Sequence, residues 1–361
     1  MKKIICFHLY NDYSGSPRVL KMILEGLQKE GYSIEIITSK GGILDQLKDL
    51  KGLKIRYYKY HYSTNKLKTA INYLFIQLYT FFLAFTYIFN RNILFYINTI
   101  LPVGPAFAGF IMRKEVIYHC HENINTSNKL YTLLGAIMSK IANKIICVSK
   151  YQSTQITTHK QIYIIPNSVS TTFYNHFKNI NYKILENKKT VLLLSSLKRY
   201  KGTIEFIQLA KSLPQYHFLM VINDKQKNIN NFLASYNLSL PTNIQIYSQQ
   251  KNIIPFYEKA SLLINLSNPH LFIETFGLTA IEGMTAALPV IVPTIGGISE
   301  FVQDNINGFK LDVNNLEEIR QKIDYIFTNP NIYNSLSVNA KKTSEYYNYN
   351  KMLAQILNVI K

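Results

Sequence analysis

Glu274 and Glu282 stand with seven residues between them, around Phe276-Gly277-Leu278. The apolar positions Leu278 and Ile281, with the small residues Ala280, Ala286 and Ala287, predict a helix that begins near Gly277. Glu274 then belongs to the loop before the helix, and Glu282 lies about one turn inside it. A helix start offers unpaired N–H groups and a positive dipole end, and a glycine there lets an anion approach the main chain closely. Were the segment helical throughout, the carboxylates would be about 12 Å apart. That reach suits a nucleotide diphosphate sugar, with one carboxylate at the sugar hydroxyls and the other at the ribose. Two carboxyls acting on one bond stand closer, about 5–10 Å apart. The spacing alone fits equally an exposed helical glutamate and an acid that complements the helix dipole.

Other residues carry possible chemistry. His119-Cys120-His121-Glu122 follows a strand pattern, and alternation puts His119 and His121 on one face. Two histidines suggest a metal, yet no third ligand follows at a suitable spacing. Lys201 lies in the loop Leu197–Gly202 after a buried strand, where a lysine can reach a phosphate with a charge-assisted hydrogen bond. Gly15, in the loop after the first strand, is either a point of close ligand approach or a plain turn glycine.

These residues need a scaffold, and the chain supplies alternating patterns. Apolar runs at Ile4–Leu9, Ser33–Thr38, Ile55–Tyr60, Ile93–Ile97, Val116–Cys120, Lys144–Val148 and Ile162–Ile165 predict strands with helices between them. A second series, Thr190–Ser195, Phe218–Ile222, Ile244–Tyr247, Leu262–Leu266 and Pro289–Val292, repeats the theme. The fold class is α/β, doubly wound, with ligands expected in the loops after strand ends. Absence of G-x-G-x-x-G argues against a dinucleotide dehydrogenase. The polar stretch Ser170–Lys189 reads as the linker between halves.

Composition narrows the partners. A chain of 361 residues, 47% hydrophobic and 17% charged, is globular and long enough for two domains. Its net charge of +19 points to an anionic partner. Residues 1–150 hold 20 Lys and Arg against 8 Asp and Glu, with Lys51, Lys54, Arg56, Lys59, Lys66 and Lys68 clustered. The uncharged segment Thr69–Phe89 follows, and Asn72, Gln77, Thr80 and Thr86 interrupt it. We read it as a buried or membrane-facing helix of the first domain rather than a span, with basic flanks for anionic headgroups. Lys2 and Lys3 precede only a short apolar run, which reads as a first strand rather than a signal peptide. Cys6, Cys120 and Cys147 lie in apolar surroundings without metal-ligand spacing and read as reduced core residues of a cytoplasmic protein.

The pair Glu274 and Glu282, with Gly296-Gly297 and Glu300 after it, resembles the E-x7-E signature of the retaining family-four glycosyltransferases of GT-B fold. Ser14-Gly15, Tyr118–Glu122, Ser149, Ile165-Pro166-Asn167, Lys201-Gly202 and Asn307-Gly308 agree along nearly the whole chain. The resemblance implies two Rossmann-like domains facing a cleft. Residues 1–168 would bind the acceptor and 169–340 the nucleotide sugar, and 341–361 would form a helix crossing back to the first domain. It implies catalytic roles for Glu274 at the transferred sugar, His121 beside it and Lys201 at the diphosphate. Donor binding would fall to Glu282, Phe276, Gly277, Leu278, Thr279, Ser196, Arg199, Gly15 and Asn167. Family members usually carry arginine at the position of Ser196, so Lys198 or Arg199 is the candidate replacement. Asn167-Ser168 stands where Asn-Gly is usual.

The implied reaction moves a hexose or similar sugar from a nucleotide diphosphate sugar to a glycan, most plausibly lipid-linked, in lipopolysaccharide, O-antigen or capsule synthesis. It would need no metal and no cofactor, with the leaving phosphate helping to deprotonate the acceptor. The enzyme would act on the inner face of the cell membrane, and nucleic acid is not expected as a partner. The alternatives are an epimerase or phosphorylase of the same fold, or a non-catalytic basic membrane-binding protein.

Overall fold

Buried on both faces, the strands of a parallel sheet read as unbroken apolar runs, and this chain contains two such sets. The computed structural model describes residues 2–60, 65–124, 128–185 and 189–361. The chain divides into two compact units, Met1–Pro166 with Asn350–Lys361, and Asn167–Tyr349.

In the first unit the strands are β1 (Lys3–His8), β2 (Ile34–Ser39), β3 (Leu53–Tyr58), β4 (Ile93–Asn98), β5 (Glu115–Cys120), β6 (Lys144–Cys147) and β7 (Gln161–Ile164). They form one parallel sheet in the order β3-β2-β1-β4-β5-β6-β7. Ile4, Ile5, Cys6 and Phe7 of β1 are buried, since β1 lies between β2 and β4 with helices over both faces. The helix Tyr349–Ile360 belongs to this unit, with Met352, Ile356, Val359 and Ile360 buried and Val359 O accepting from Lys144 Nζ at 2.6 Å. All three cysteines are buried and free, and burial pushes the Cys147 thiol up to about 12.

The second unit repeats the plan with β8 (Thr190–Ser195), β9 (His217–Ile222), β10 (Ile244–Tyr247), β11 (Leu262–Ile264), β12 (Val290–Pro293) and β13 (Gly308–Leu311). Their order is β10-β9-β8-β11-β12-β13, all parallel. In each sheet the order reverses once, between β1 and β4 and between β8 and β11. Loops diverge at such a switch point and leave a crevice at the strand C-termini.

Two features differ from the expectations above. Residues 170–178 are not linker. Ser170 Oγ accepts from Phe173 N at 3.2 Å and caps the helix Thr171–Phe177, which buries Phe173 and Phe177. Residues 186–188 of that expected linker lie outside the described residues. β13 was not expected, because its four residues begin at a glycine. As expected, the apolar segment is a helix of the first unit, Lys66–Phe85, started by Asn65 Oδ1 accepting from Lys68 N. Among the described residues no helix is long and apolar enough to cross a membrane.

Candidate functional site

The second unit gathers its polar side chains at the switch point. β11 stops at Ile264 because Asn265 turns its side chain back on the loop, Oδ1 accepting from Ser267 N at 2.9 Å. Asn268 N then donates to Tyr200 O at 2.7 Å, tying the loop after β11 to the loop after β8. A third loop closes on the first, with Gly297 N donating to Glu274 O at 2.8 Å. Gly296, at φ +115°, is needed there, since a Cβ would come 2.6 Å from Glu274 O.

These ties bring Lys201 and Glu274 together. Glu274 Oε1 accepts from Lys201 Nζ at 2.5 Å and Ser267 Oγ at 2.7 Å, with Asn265 Nδ2 at 3.5 Å. Burial pushes this carboxyl up, but the Lys201 ammonium, helped by its own hydrogen bond and those of Ser267 and Asn265, outweighs it and holds the group below the usual range. Lys201 Nζ also lies 4.5 Å from the ring centroid of Phe272, and Phe272 stacks on Tyr200 at 4.8 Å. Ser267, Asn265, Tyr200 and Phe272 were not expected in the site. Only the polar alternation Asn265-Leu266-Ser267-Asn268 could have marked two of them.

Immediately after Glu274 the chain enters the predicted helix, Leu278–Thr285. Gly277 starts it at φ +84°, in the left-handed region, and a Cβ would meet the Ile298 side chain at 2.3 Å. No side chain caps this helix start, and Leu278 and Thr279 are partly exposed. Residues 274–277 are not helical, so the separation expected for a fully helical segment does not apply. Glu282 is buried on the inner side of the helix, and its Oε2 accepts from Tyr257 OH at 2.6 Å. Tyr257 is itself fully buried and edge-on to Phe173 at 5.0 Å. An exposed helical glutamate is thereby excluded at position 282.

Other expected donor residues are used differently. The Phe276 ring is buried among Phe301 and Tyr347, at 5.7 and 5.9 Å, so packing occupies its side chain. Arg199 is held by Glu205, Nη1 to Oε1 at 2.6 Å. Ser196 is partly exposed, and its carbonyl accepts from Lys198 N at 2.8 Å. Asn167 is buried, with Oδ1 lacking a hydrogen-bond partner among the described residues.

The first unit has its own polar group at the C-terminal ends of β1, β4 and β5. His121 Nε2 lies 3.1 Å from Asn98 Oδ1, and Asn98 Nδ2 lies 3.0 Å from His8 Nδ1. The rings of His119 and His121 are 4.2 Å apart, as expected for residues on one strand face. His119 Nδ1 pairs with Tyr96 OH at 2.8 Å. Burial pulls His8 down to about 4, against Asp12 and two backbone hydrogen bonds, and His119 down to about 3. Burial, with His119 and His8 beside it, holds His121 well below the ordinary histidine value. All three rings are therefore neutral near pH 7. Glu122, whose carboxylate accepts from Ile100 N and His121 N, is raised by burial to about 7 in spite of them. Among the described residues no group of three or more His, Cys, Asp or Glu is arranged to hold a metal ion. Gly15 begins the helix Gly15–Lys29 after β1, and a Cβ built on it meets nothing within 4 Å.

Comparison with known proteins agrees with this architecture. Residues 177–343, most of the second unit, match the family model for glycosyl transferases group 1. An uncharacterized glycosyltransferase of Haemophilus influenzae is 23% identical over 364 residues, covering 98% of this chain and 99% of that protein. One of Methanocaldococcus jannaschii is 29% identical over 224 residues, covering 60% of this chain and 59% of that protein. Among solved structures, Anabaena HepE in complex with UDP-glucose superposes with a TM-score of 0.78 at 17% identity, covering 100% of this chain and 99% of that one. The chain has the GT-B fold of two Rossmann-like α/β domains, and residues 177–343 of its second unit are similar to the glycosyl transferases group 1.

Proposed function

We propose that this chain is a retaining glycosyltransferase that moves a hexose or similar sugar from a nucleotide diphosphate sugar to a lipid-linked glycan in surface-polysaccharide synthesis. The observation that carries this reading is the contact of Lys201 with Glu274 beside the uncapped start of the helix Leu278–Thr285. An ammonium and a helix N-terminus beside a carboxylate match the diphosphate and the sugar of such a donor. The diphosphate takes Lys201 and the helix amides, which meet its negative charge without a metal. Glu274 accepts from the sugar hydroxyls, and Glu282, steadied by Tyr257, accepts from the ribose.

In this reading the acceptor hydroxyl approaches the face of the sugar from which the diphosphate departs. The bond from the anomeric carbon to the leaving phosphate oxygen breaks as the bond to the acceptor oxygen forms. The acceptor proton passes to that phosphate oxygen, and configuration is retained. Charge grows on the departing diphosphate, so Lys201 acts where stabilisation counts most.

Arg199 is paired with Glu205, so Lys198 is the better candidate to replace the arginine that the family places at Ser196. The Haemophilus and Methanocaldococcus relatives, both named glycosyltransferases, support the reaction class, and HepE, solved with UDP-glucose, supports a nucleotide sugar as donor. Calorimetric titration with UDP, GDP and their sugar conjugates tests the proposal. Tight binding of one nucleotide, lost in both Lys201→Ala and Glu282→Ala, is expected. Binding of no nucleotide, or equal binding by the variants, would overturn it.

A further inference from the structure

The helix Lys66–Phe85 buries Ile76 and Ala84 on its inner face, yet carries a second apolar face outward. Toward the interior it turns Gln77 and Thr80, with Gln77 Oε1 accepting from Gly104 N at 2.9 Å and Thr80 Oγ1 donating to Ile76 O at 2.7 Å. Toward the outside it turns Leu67, Ile71, Leu74, Phe75, Leu78 and Phe82, each 57–70% exposed. Those positions fall at helical spacing and make one continuous apolar stripe. The packed neighbour Val103–Ile111 widens it with exposed Phe107 and Phe110, and Phe107 stacks on Phe81 at 6.2 Å. A helix facing water carries its polar residues outward, and a contiguous apolar surface of this kind marks a contact.

Its rim is cationic. Exposed Lys66 and Lys68 open the helix, Arg91 follows its end, and Arg113 follows the neighbouring helix. No Asp or Glu occurs from Lys51 to Lys114. An apolar stripe with cations at its helix ends complements a surface that is apolar beneath and anionic at its edge.

We propose that this face docks on an anionic lipid bilayer, with the helix Lys66–Phe85 lying in the interface plane. Its apolar stripe enters the boundary between headgroups and acyl chains, while Lys66, Lys68, Arg91 and Arg113 stay among the headgroups. This deepens the reading of a lipid-linked acceptor and rests on it for its role in the reaction, by holding the first unit at the surface where such an acceptor resides.

The test is sedimentation of the full chain with vesicles of phosphatidylcholine alone and of phosphatidylcholine mixed with phosphatidylglycerol. The protein is expected to pellet with the mixed vesicles, and raised salt should release part of it. The variant Phe75→Ser/Leu78→Ser/Phe82→Ser should keep its circular-dichroism spectrum, because the residues are exposed, and lose vesicle affinity about tenfold or more. Wild type remaining in the supernatant, or a variant that binds like wild type, would overturn the proposal. A wild-type dimer that the variant abolishes, without vesicle binding, would assign the face to a second copy instead. Nucleotide binding on the same samples separates the two readings. A variant that loses vesicles but keeps nucleotide supports the docking face. Wild type that pellets yet binds no nucleotide upholds the docking face while the donor reading falls.

Discussion

Lys201 and Glu274 lie 2.5 Å apart, and a donor would exchange that one contact for two. Both ends of the pair would then work in the transition state, so their removal should register in turnover before it registers in stability. Lys201→Ala is expected to lower kcat by about 10²–10³-fold, the usual loss for one preorganised electrostatic partner. Its cost to folding should be about 1–2 kcal/mol, since the pair is only partly buried and Ser267 and Asn265 continue to donate to Glu274. Steady-state kinetics beside thermal unfolding checks both, and equal kcat with a confirmed substrate pair would remove Lys201 from the reaction. Two glycines give a contrasting test. Gly277→Ala places a Cβ against Ile298 at a left-handed residue and should destabilise by about 3 kcal/mol. Gly15→Ala meets nothing in the protein and should leave the melting temperature unchanged or slightly raised. A fall in turnover for Gly15→Ala, with stability intact, would identify a ligand pressing on that backbone; unchanged turnover would make Gly15 a turn residue.

At the scale of elements, legibility followed burial. β1, β8 and the helix Leu278–Thr285 were plain in the sequence because runs such as Ile4–Phe7 and the spacing of Leu278 and Ile281 report directly on what must be covered. The helix Thr171–Phe177 was hidden inside a polar stretch because only Phe173 and Phe177 carry its packing. β13 opens on Gly308 and sets Lys310 between Phe309 and Leu311, so it offers no unbroken apolar run. Around the candidate site, Glu274, Lys201 and Glu282 were singled out by family resemblance, whereas Tyr257 was not. Its partner lies 25 residues away, and nothing local marks a tyrosine that will donate to a buried glutamate. That contact joins two elements, the helices Ile254–Lys259 and Leu278–Thr285, and it fixes the orientation of Glu282. Tyr257→Phe keeps the ring against Phe173 and removes only the hydroxyl. It should cost about 1–2 kcal/mol of stability and raise KM for the nucleotide sugar with little change in kcat. A proportional fall in kcat with KM unchanged would count against Glu282 as a ribose contact.

For the whole molecule, the response to acid follows from the histidines buried in the first unit. His8, His119 and His121 are held neutral, with the first two down to about 4 and about 3. As pH falls from about 6.5 toward 4, the unfolded chain binds protons that the folded chain refuses, so stability is lost on acidification. Glu122 works in the opposite sense. Raised to about 7, it holds a proton when folded that the unfolded chain releases above the ordinary carboxylate value, so its contribution declines as pH rises through that window. Three histidines against one carboxyl leave a net loss of about 2–3 kcal/mol per pH unit on going down from pH 6.5. At lower pH, Glu35, Glu115 and Glu274, all held below the usual range, add losses in the same direction as they take up protons. Because the chain has two compact units, a single unfolding curve would blend them, and hydrogen exchange at the amides of β4 and β5 isolates the first. Exchange there, corrected for intrinsic rate, should show protection falling steeply between pH 6.5 and 5. In His119→Gln, which keeps an acceptor for Tyr96, the slope should flatten by about one half, since one of the two net protons no longer counts. An unchanged slope would mean that His119 is not among the groups that couple folding to protons, and the acid sensitivity would then rest on the remaining groups, His8 and His121 among them.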